Sequence, residues 1–207
     1  MGWWSNQVVP RVIDYSLKGV AVGEERANVC RGLTGRVLEV GFGSGLNVRW
    51  YPGDVTSVSA VEPSDVAWRL SERRRERTSI PIARHGLDGQ RLAEADVAYD
   101  AVLCTFTLCT IPDAGVALAE MRRVLRPGGR LHLLEHGLSN DPAVVGWQRR
   151  LEPVQRRVCG GCHLTRDPLG LARDAGFTVE DSVVGPMPGF PDRSPLTFRF
   201  RARLSAP

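Results

Sequence analysis

The chain has 207 residues, of which 43% are hydrophobic and 24% charged, and its formal net charge is +4. This length suits a single domain, and the composition is that of an ordinary globular protein. No apolar run approaches the roughly 18 residues that a membrane-spanning helix needs, and the first residues lack the basic and apolar regions of a secretory signal. We therefore expect a cytoplasmic protein without a transmembrane anchor.

The basic residues and the cysteines argue against two further classes of protein. Much of the positive charge lies in residues 69–77, RLSERRRER, where no aromatic residues alternate with the arginines. This segment is predicted to be a solvated helix face, and no nucleic-acid partner is expected. The five cysteines are odd in number and irregularly spaced, which indicates free thiols rather than a disulfide framework.

The N-terminal part of the chain is predicted to be helical. We assign residues 1–32 to a helical lid or cap and residues 33–207 to the main domain. Trp3 and Trp4 are expected either to pack in the core or to cover a ligand. A helix lying in a membrane interface is the third alternative, so a peripheral membrane contact stays open.

A glycine-spaced turn follows the apolar run Val37–Val40. Three glycines in the sequence GFGSG, residues 41–45, allow a tight turn and let a ligand approach the bare backbone. Residues 46–50 are expected to begin a helix whose free N–H groups point at that ligand. The next predicted strand ends at Glu62, 21 residues after Gly41, which fits the spacing of about 20 for an acid that holds ribose hydroxyls. The pattern predicts an adenosine-type ligand.

Strands and helices alternate between residues 36 and 135. This alternation predicts a parallel, doubly wound α/β sheet with right-handed crossovers, whose ligands lie beyond the carboxyl ends of the strands. The predicted strands are 36–40, 56–61, 80–84, 100–105, 130–135, 177–184 and 196–204, and the predicted helices of this region are 65–77, 113–126, 142–157 and 168–175.

A cysteine-rich segment, Cys159-Gly-Gly-Cys162-His163, follows the fifth strand and its helix. The C-x-x-C spacing is found in redox and zinc sites, but a structural zinc site needs four ligands. No second ligand pair stands nearby in the sequence, so no metal site is predicted, and the segment is interpreted as a loop over the substrate pocket. Cys104 and Cys109 are predicted to be small buried apolar residues.

Four stretches resemble the class I S-adenosylmethionine-dependent methyltransferases: VLEVGFGSG, VEPSD, YDAVLCTFTLCTIPD and MRRVLRPGGRLHLLEH, within residues 36–136. The resemblance implies a Rossmann-like sheet of seven strands, mostly parallel with an antiparallel last strand. It also implies S-adenosyl-L-methionine as cofactor and S-adenosyl-L-homocysteine as product.

A narrower resemblance covers residues 100–180, where LCTFTLCTIPD, LLEHG and WQRRLEPVQRRVCGGCHLTRD are similar to the group that includes alkyl thiol methyltransferases. It implies S-methylation of a small-molecule thiol. The alternative is N- or O-methylation of a quinol, phenol, lipid head group or natural product. Animal members of that group carry a hydrophobic N-terminal anchor. This sequence shows no such anchor, so we expect the chain to be a soluble relative of bacterial type.

The resemblance also assigns roles to individual positions. Glu39, Gly41, Gly43 and Gly45 would line the methionine and ribose of the cofactor. Glu62, with Pro63 beside it, would accept the ribose hydroxyls. Asp88 would contact the adenine amine, with Leu87 and Gly89 alongside, and Thr105 would face the methyl donor.

Methyl transfer from a sulfonium is an in-line displacement in which the enzyme mainly positions the reactants. A base is needed only when the acceptor arrives protonated, and a thiol with a pKa near 8.5 is already partly ionised at neutral pH. His136, which follows Glu135 at the end of the fifth strand, is the leading candidate for this base, and His163 is the second.

Two other functions stay open at this point. A binding protein could keep the cofactor loop without turnover. A nucleic-acid methyltransferase would need an N/D-P-P-Y-type loop for a flipped base, which residues 105–108 do not match. The oligomeric state is not predicted.

Overall fold

The computed structural model describes residues 4–206; the prediction for Trp3 lies outside these residues. Seven strands form one sheet in the order β3-β2-β1-β4-β5-β7-β6. Their bounds are Gly35–Val40 (β1), Val55–Val61 (β2), Ile82–Gly86 (β3), Tyr99–Thr105 (β4), Leu125–His136 (β5), Thr178–Pro186 (β6) and Phe198–Ser205 (β7).

The first five strands are parallel to one another, whereas β7 runs antiparallel to both β5 and β6. The predicted fold class, a doubly wound α/β sheet with an antiparallel last strand, is confirmed. The helices are Val9–Ser16 (α1), Val20–Cys30 (α2), Asp65–Leu70 (α3), Glu72–Arg75 (α4), Ala114–Val124 (α5), Pro142–Val158 (α6) and Pro168–Asp174 (α7), and a π-helix, Trp4–Val8, precedes α1.

The core lies on both faces of the sheet because its central strands are apolar on both sides. Leu38 and Val102 belong to one buried cluster, together with Met121 of α5. Val37 and Leu103, which are next to Leu38 and Val102 in the chain and point to the opposite face of the sheet, belong to a second cluster with Val29 of α2. This two-sided burial fixes the register of the strands and therefore the edge at which their carboxyl ends meet.

The helix predicted to begin at residues 46–50 does not form. Only one 3₁₀ turn, Val48–Trp50, forms there. Pro52 disfavours a helical conformation at the residue before it, and the buried Asn47 side chain donates to Glu39, 2.9 Å away. This part of the described chain therefore has no helix whose N-terminus could point its free N–H groups at the ligand, contrary to the prediction.

Two boundaries differ more widely from the prediction than the others, and the third strand lies two residues later than predicted, at Ile82–Gly86. The helix predicted at 65–77 is broken into α3 and α4 at Ser71, whose hydroxyl donates to the Trp68 carbonyl at 2.6 Å, a side-chain bond that competes with continued helix. The fifth strand begins at Leu125, five residues before the predicted start, because α5 ends at Val124 and the Pro-Gly-Gly segment that follows is part of the strand.

The N-terminal helices make different contacts with the sheet domain. Asp14 of α1 accepts from Ser44 Oγ at 2.6 Å and pairs with Arg74 at 2.7 Å, so α1 lies against the glycine-spaced turn. The buried Glu25 of α2 pairs with Arg199 at 2.5 Å. The division of the chain at residue 32 stays a prediction. Within residues 4–206, none of the helices combines the length and the apolar character that crossing a bilayer requires.

Candidate active site

The turns that follow β1, β2, β4 and β5 lie at one edge of the sheet. Val40, at the end of β1, is in register with Val61 of β2 and with Cys104 of β4, and Thr105 is in register with Leu134 of β5. The chain leaves these strands in parallel, so the glycine-spaced turn and the ends of the neighbouring strands meet at the same edge. Open α/β sheets bind their ligands at this edge.

The glycine-spaced turn has an open side and a crowded side. Gly41, Gly43 and Gly45 have φ angles of +77°, +59° and +75°, in the region that favours glycine. A β-carbon added to Gly41 would collide with the Thr107 side chain, whereas one on Gly43 would meet no heavy atom closer than the Gly41 carbonyl at 3.9 Å. The space above Gly43 can therefore receive a ligand.

Glu62 directly follows β2 and bonds to this turn. Its carboxylate accepts from the Gly43 N–H through Oε2 and from the Ser64 N–H through Oε1, each at 2.7 Å. Burial raises the pKa of Glu62, while the two N–H donors and Arg84 act in the opposite direction. Each carboxylate oxygen has further acceptor capacity, which suits the hydroxyls of a ribose.

A buried polar cluster lies beneath the turn. Glu39 accepts from Asn47 Nδ2 at 2.9 Å and from the Tyr51 hydroxyl, and burial raises its pKa to about 7 against the effects of Tyr51, Asn47 and Arg26. Arg26 of α2 donates to Asn47 Oδ1 at 2.7 Å and to Thr105 Oγ1 at 3.0 Å. The Thr105 hydroxyl, predicted to face the methyl donor, is thus bonded within this cluster.

Arg26 is a residue that sequence reasoning missed. Burial lowers the pKa of its guanidinium to about 10, against the attraction of Glu39, and its Nε is a buried donor without a partner among the described residues. The guanidinium lies 5.1 Å from the centre of the Phe106 ring. Phe106 has a φ of +52°, a strained conformation for a bulky residue and one that clusters at functional sites.

The residues predicted to contact adenine lie after β3. Asp88 and Leu87 are exposed, and Asp88 Oδ1 accepts from the Gln90 N–H at 2.9 Å. A β-carbon on Gly89 would lie 3.0 Å from Val40 Cγ1, so this loop passes close to the end of β1. Pro63 is exposed beside Glu62. These positions are compatible with the predicted roles, which stay predictions.

His136 lies at the end of β5 against two cysteines. Its Nε2 is 2.9 Å from Cys162 Sγ, and Cys162 Sγ is 3.7 Å from Cys109 Sγ. Both cysteines are buried. Every cysteine of the chain is a free thiol, as predicted, but Cys109 is part of a polar cluster rather than merely a small apolar residue.

The ionisation of this cluster is strongly shifted. The hydrogen bond shared with Cys109, followed by the bond and charge of His136, lowers the pKa of Cys162 to about 4 against the effect of burial. Burial alone would lower the pKa of His136, but the Cys162 contact raises it. The hydrogen bond with Cys162 and burial hold the pKa of Cys109 well above its usual range. The favoured state is a Cys162 thiolate beside a His136 imidazolium.

Glu135 positions the loop that carries Cys109. Its Oε1 accepts from the N–H groups of Thr107 and Leu108, at 2.7 and 2.9 Å, while its buried Oε2 has no partner among the residues described. Burial raises the pKa of Glu135, and the two N–H donors lower it. The sequence showed Glu135 only as the neighbour of His136.

His163 is separated from this cluster by its own bonding. Its Nδ1 lies 2.7 Å from Glu152 Oε1 of α6, and its backbone N–H donates to the Cys109 carbonyl at 2.9 Å. Arg166 donates to three carbonyls of residues 108–112, among them Ile111 at 2.6 Å. Asp167 caps α7 by accepting from the N–H groups of Leu169 and Gly170.

The comparisons with known proteins agree with this geometry. Residues 38–133 match the family profile described as a methyltransferase domain, a span that runs from β1 into β5. The chain carries a methyltransferase domain. A solved S-adenosylmethionine-dependent methyltransferase from Thermotoga maritima, titled a possible histamine N-methyltransferase, has the same fold, with a TM-score of 0.69 at 20% identity and full coverage of both chains.

Curated relatives of this methyltransferase domain act on different acceptors. The thiol S-methyltransferase TMT1B of Rattus norvegicus is 34% identical over 148 residues, which are 69% of this chain and 59% of the relative. The chain therefore spans about three fifths of that relative's length. A phosphatidylethanolamine N-methyltransferase of Cereibacter sphaeroides is 30% identical over 103 residues, which are 49% of this chain and 51% of the relative.

Proposed function

We propose that this protein transfers the methyl group of S-adenosylmethionine to the sulfur of a small-molecule thiol. The observation that carries the choice of sulfur is the similarity to a thiol S-methyltransferase, which extends over 148 residues. The similarity to the phosphatidylethanolamine N-methyltransferase is confined to 103 residues. Sulfur is therefore preferred over the nitrogen of a lipid head group.

The cofactor would bind at the glycine-spaced turn. The open face of Gly43 and the buried Glu62 carboxylate fit a nucleoside sugar, and the acidic Glu39 beneath the turn fits the methionine ammonium. When bound, the cofactor supplies a methyl group on a positively charged sulfur. The chain's own task is to hold this group in line with the acceptor and to keep water away from it.

The acceptor would lie near the end of β5. The Nε2 atom of His136 contacts Cys162 Sγ at 2.9 Å, so this nitrogen can accept a proton from the acceptor only after that contact opens. A thiol that binds as its thiolate needs no base. We therefore propose that His136 borders the acceptor, and that His163, bonded to Glu152, only supports the loop beside it.

Product analysis tests this proposal. The purified protein is incubated with S-adenosylmethionine carrying a trideuterated methyl group and with separate panels of alkyl thiols, phenols and amines, including phosphatidylethanolamine vesicles. Mass spectrometry is expected to find the label in a thioether of at least one thiol, together with S-adenosylhomocysteine. The Glu62→Ala variant is expected to lose most of this product.

Two results would count against the proposal in different ways. Labelled phenol or amine products with unmodified thiols would overturn the choice of sulfur and leave the cofactor assignment standing. Binding of the cofactor without turnover on any panel would favour the non-enzymatic alternative.

A further inference from the structure

We propose that Cys109, His136 and Cys162 form a binding site for a thiophilic divalent cation, with Zn²⁺ as the best fit. The site is separate from the proposed cofactor groove, since none of its three ligand atoms belongs to a residue assigned to the cofactor. The inference does not depend on the proposed function, because it concerns cation binding in the absence of methyl donor and acceptor.

The geometry of the three ligand atoms carries the inference. The two Sγ atoms and the imidazole nitrogen lie within 4.8 Å of one another. Tetrahedral zinc with Zn–S bonds of about 2.3 Å places two sulfur ligands ~3.8 Å apart, and the Cys109 and Cys162 Sγ atoms are 3.7 Å apart. This separation is much longer than the roughly 2.05 Å of a disulfide, so both sulfurs are free to coordinate.

The imidazole needs only a small movement to complete the set. His136 Nε2 is 2.9 Å from Cys162 Sγ, whereas two ligands of one zinc ion, a nitrogen and a sulfur, lie ~3.6 Å apart. A cation between them would replace the present hydrogen bond with two coordination bonds. Two soft sulfurs and one imidazole are the donor set that selects zinc over magnesium or calcium.

The surroundings of the three ligands also suit a cation. Glu135 is adjacent to His136 and holds the Cys109 loop through the Leu108 N–H at 2.9 Å. Its second oxygen, Oε2, is a buried acceptor that no described residue bonds. A carboxylate beside the loop that carries Cys109 would stabilise positive charge at the site. Three protein ligands leave the fourth zinc position open, as in catalytic rather than structural zinc sites.

The sequence does not show this site because its ligands come from three separate elements. Cys162 is paired in the sequence with Cys159, but in the fold its neighbours are the loop after β4 and the end of β5. Cys159 is not among the ligand atoms that come together, although it lies in the same turn and is partly buried. It therefore offers a matched control.

Metal titration of the reduced full-length chain tests the proposal. The protein is stripped with a chelator and titrated with Zn²⁺ against a chromophoric competitor, and with Co²⁺ while thiolate-to-cobalt absorption is recorded. We expect one ion per chain and a thiolate charge-transfer band. Cys109→Ser and Cys162→Ser are expected to lose more affinity than the roughly 10–100-fold that removal of an outer-shell partner costs, and Cys159→Ser to bind as the wild type does.

A second measurement on the wild type guards against variants that fail to fold. X-ray absorption of the zinc-loaded chain is expected to show two sulfur ligands and one imidazole, and far-ultraviolet circular dichroism checks each variant. Failure of the wild-type chain to bind either metal would overturn the proposal, as would a first shell without sulfur or undiminished binding by folded Cys109→Ser and Cys162→Ser variants. None of these results depends on which acceptor is methylated.

Discussion

At the scale of one residue, Gly41 brings the glycine-spaced turn against the loop after β4. Its φ is +77°, and a β-carbon there would collide with Thr107. We expect Gly41→Ala to lower the free energy of unfolding by about 2–4 kcal/mol, because the left-handed conformation and the collision both disfavour alanine. Urea denaturation followed by circular dichroism measures the change.

Gly43 provides the matched control for Gly41. It is also left-handed, with a φ of +59°, but the space beside it is open. Gly43→Ala should therefore cost only ~1–2 kcal/mol for the conformation itself, while it projects a methyl group into the proposed cofactor space and weakens cofactor binding. Equal losses of stability in the two variants would contradict this account of the turn.

The ionisation of Glu39 should make the free energy of unfolding decrease as the pH rises. Its pKa in the folded chain is about 7, raised by burial from 4.5. The folded state therefore holds the proton more tightly than the unfolded state. The contribution of this group to stability is complete below about pH 4.5 and is lost as the pH rises through 7.

The measurement compares the wild type with Glu39→Gln. Between pH 5 and 8 the wild type should lose ~3 kcal/mol of unfolding free energy relative to the variant, since one pKa unit corresponds to about 1.4 kcal/mol. Urea denaturation across this range tests the difference. A constant difference between the two proteins would show that Glu39 does not change its ionisation on folding.

Contacts between residues that lie far apart in the sequence could not be predicted. The contact between the glycine-spaced turn and Glu62 could be predicted because it follows from the spacing of two neighbouring strands. Arg26 donates to Thr105, which lies 79 positions along the chain, and Cys109 meets Cys162 across 53 positions. No periodicity in the sequence encodes such contacts, so the buried cluster beneath the turn and the cysteine–histidine cluster became visible only in the structure.

At the scale of elements, α6 holds the cysteine-rich loop through one side chain. Glu152 accepts from the Leu164 N–H at 2.7 Å, from the Thr165 N–H at 3.1 Å and from His163 Nδ1 at 2.7 Å. Glu152→Ala should therefore leave three donors without their partner. We expect amide hydrogen exchange in residues 159–165 to accelerate by about tenfold or more, given ~1–2 kcal/mol per lost charged hydrogen bond.

Arg156 offers a control one turn further along α6. Its side chain is exposed, and Arg156→Ala should leave exchange in residues 159–165 unchanged. Hydrogen exchange read by mass spectrometry resolves this segment from the rest of the chain. Unchanged protection in Glu152→Ala would mean that the loop is held by other contacts.

Most elements could be predicted because their signals are local. Apolar runs gave β1, β2 and β4, and Asp113 and Asp167 cap α5 and α7. The helix after the glycine-spaced turn was predicted wrongly because Pro52 and the buried bonds of Asn47 outweigh helix propensity there. Tertiary hydrogen bonds of this kind override local helix propensity.

At the scale of the whole molecule, a buried group of charged side chains connects α2 to β7. Glu25 of α2 bonds to Arg199 at 2.5 Å and to Arg201 at 2.9 Å, both on β7. Removal of one partner of a buried pair leaves the other charge uncompensated. Glu25→Ala should therefore lower the free energy of unfolding by about 3–5 kcal/mol, as measured by urea denaturation.

Glu180 is the control for this prediction. It also pairs with two arginines, Arg130 at 3.0 Å and Arg203 at 3.3 Å, but those arginines are about half exposed. Glu180→Ala should cost less than about 1 kcal/mol, as exposed pairs do. A loss in Glu25→Ala no larger than that in Glu180→Ala would mean that this ion pair contributes little to holding α2 against the sheet.

The topology of the whole sheet brings these parts together at one site. Parallel strands from separate regions of the chain deliver the glycine-spaced turn, Glu62, Thr105 and His136 to one edge. The alternation of strands and helices allowed this common edge to be predicted. The partners that each side chain would find there depended on packing across the sheet and could not be predicted.

We propose that the open face of Gly43 and the carboxylate of Glu62 bind S-adenosylmethionine. Isothermal titration calorimetry tests it directly, with Glu62→Ala and with Glu72→Ala, an exposed carboxylate on α4, as the control. The wild type and Glu72→Ala should bind the cofactor equally, and Glu62→Ala should bind about tenfold or more weakly, since a charged hydrogen bond contributes ~1.5–3 kcal/mol. No binding by the wild type, or equal binding by Glu62→Ala, would contradict the claim.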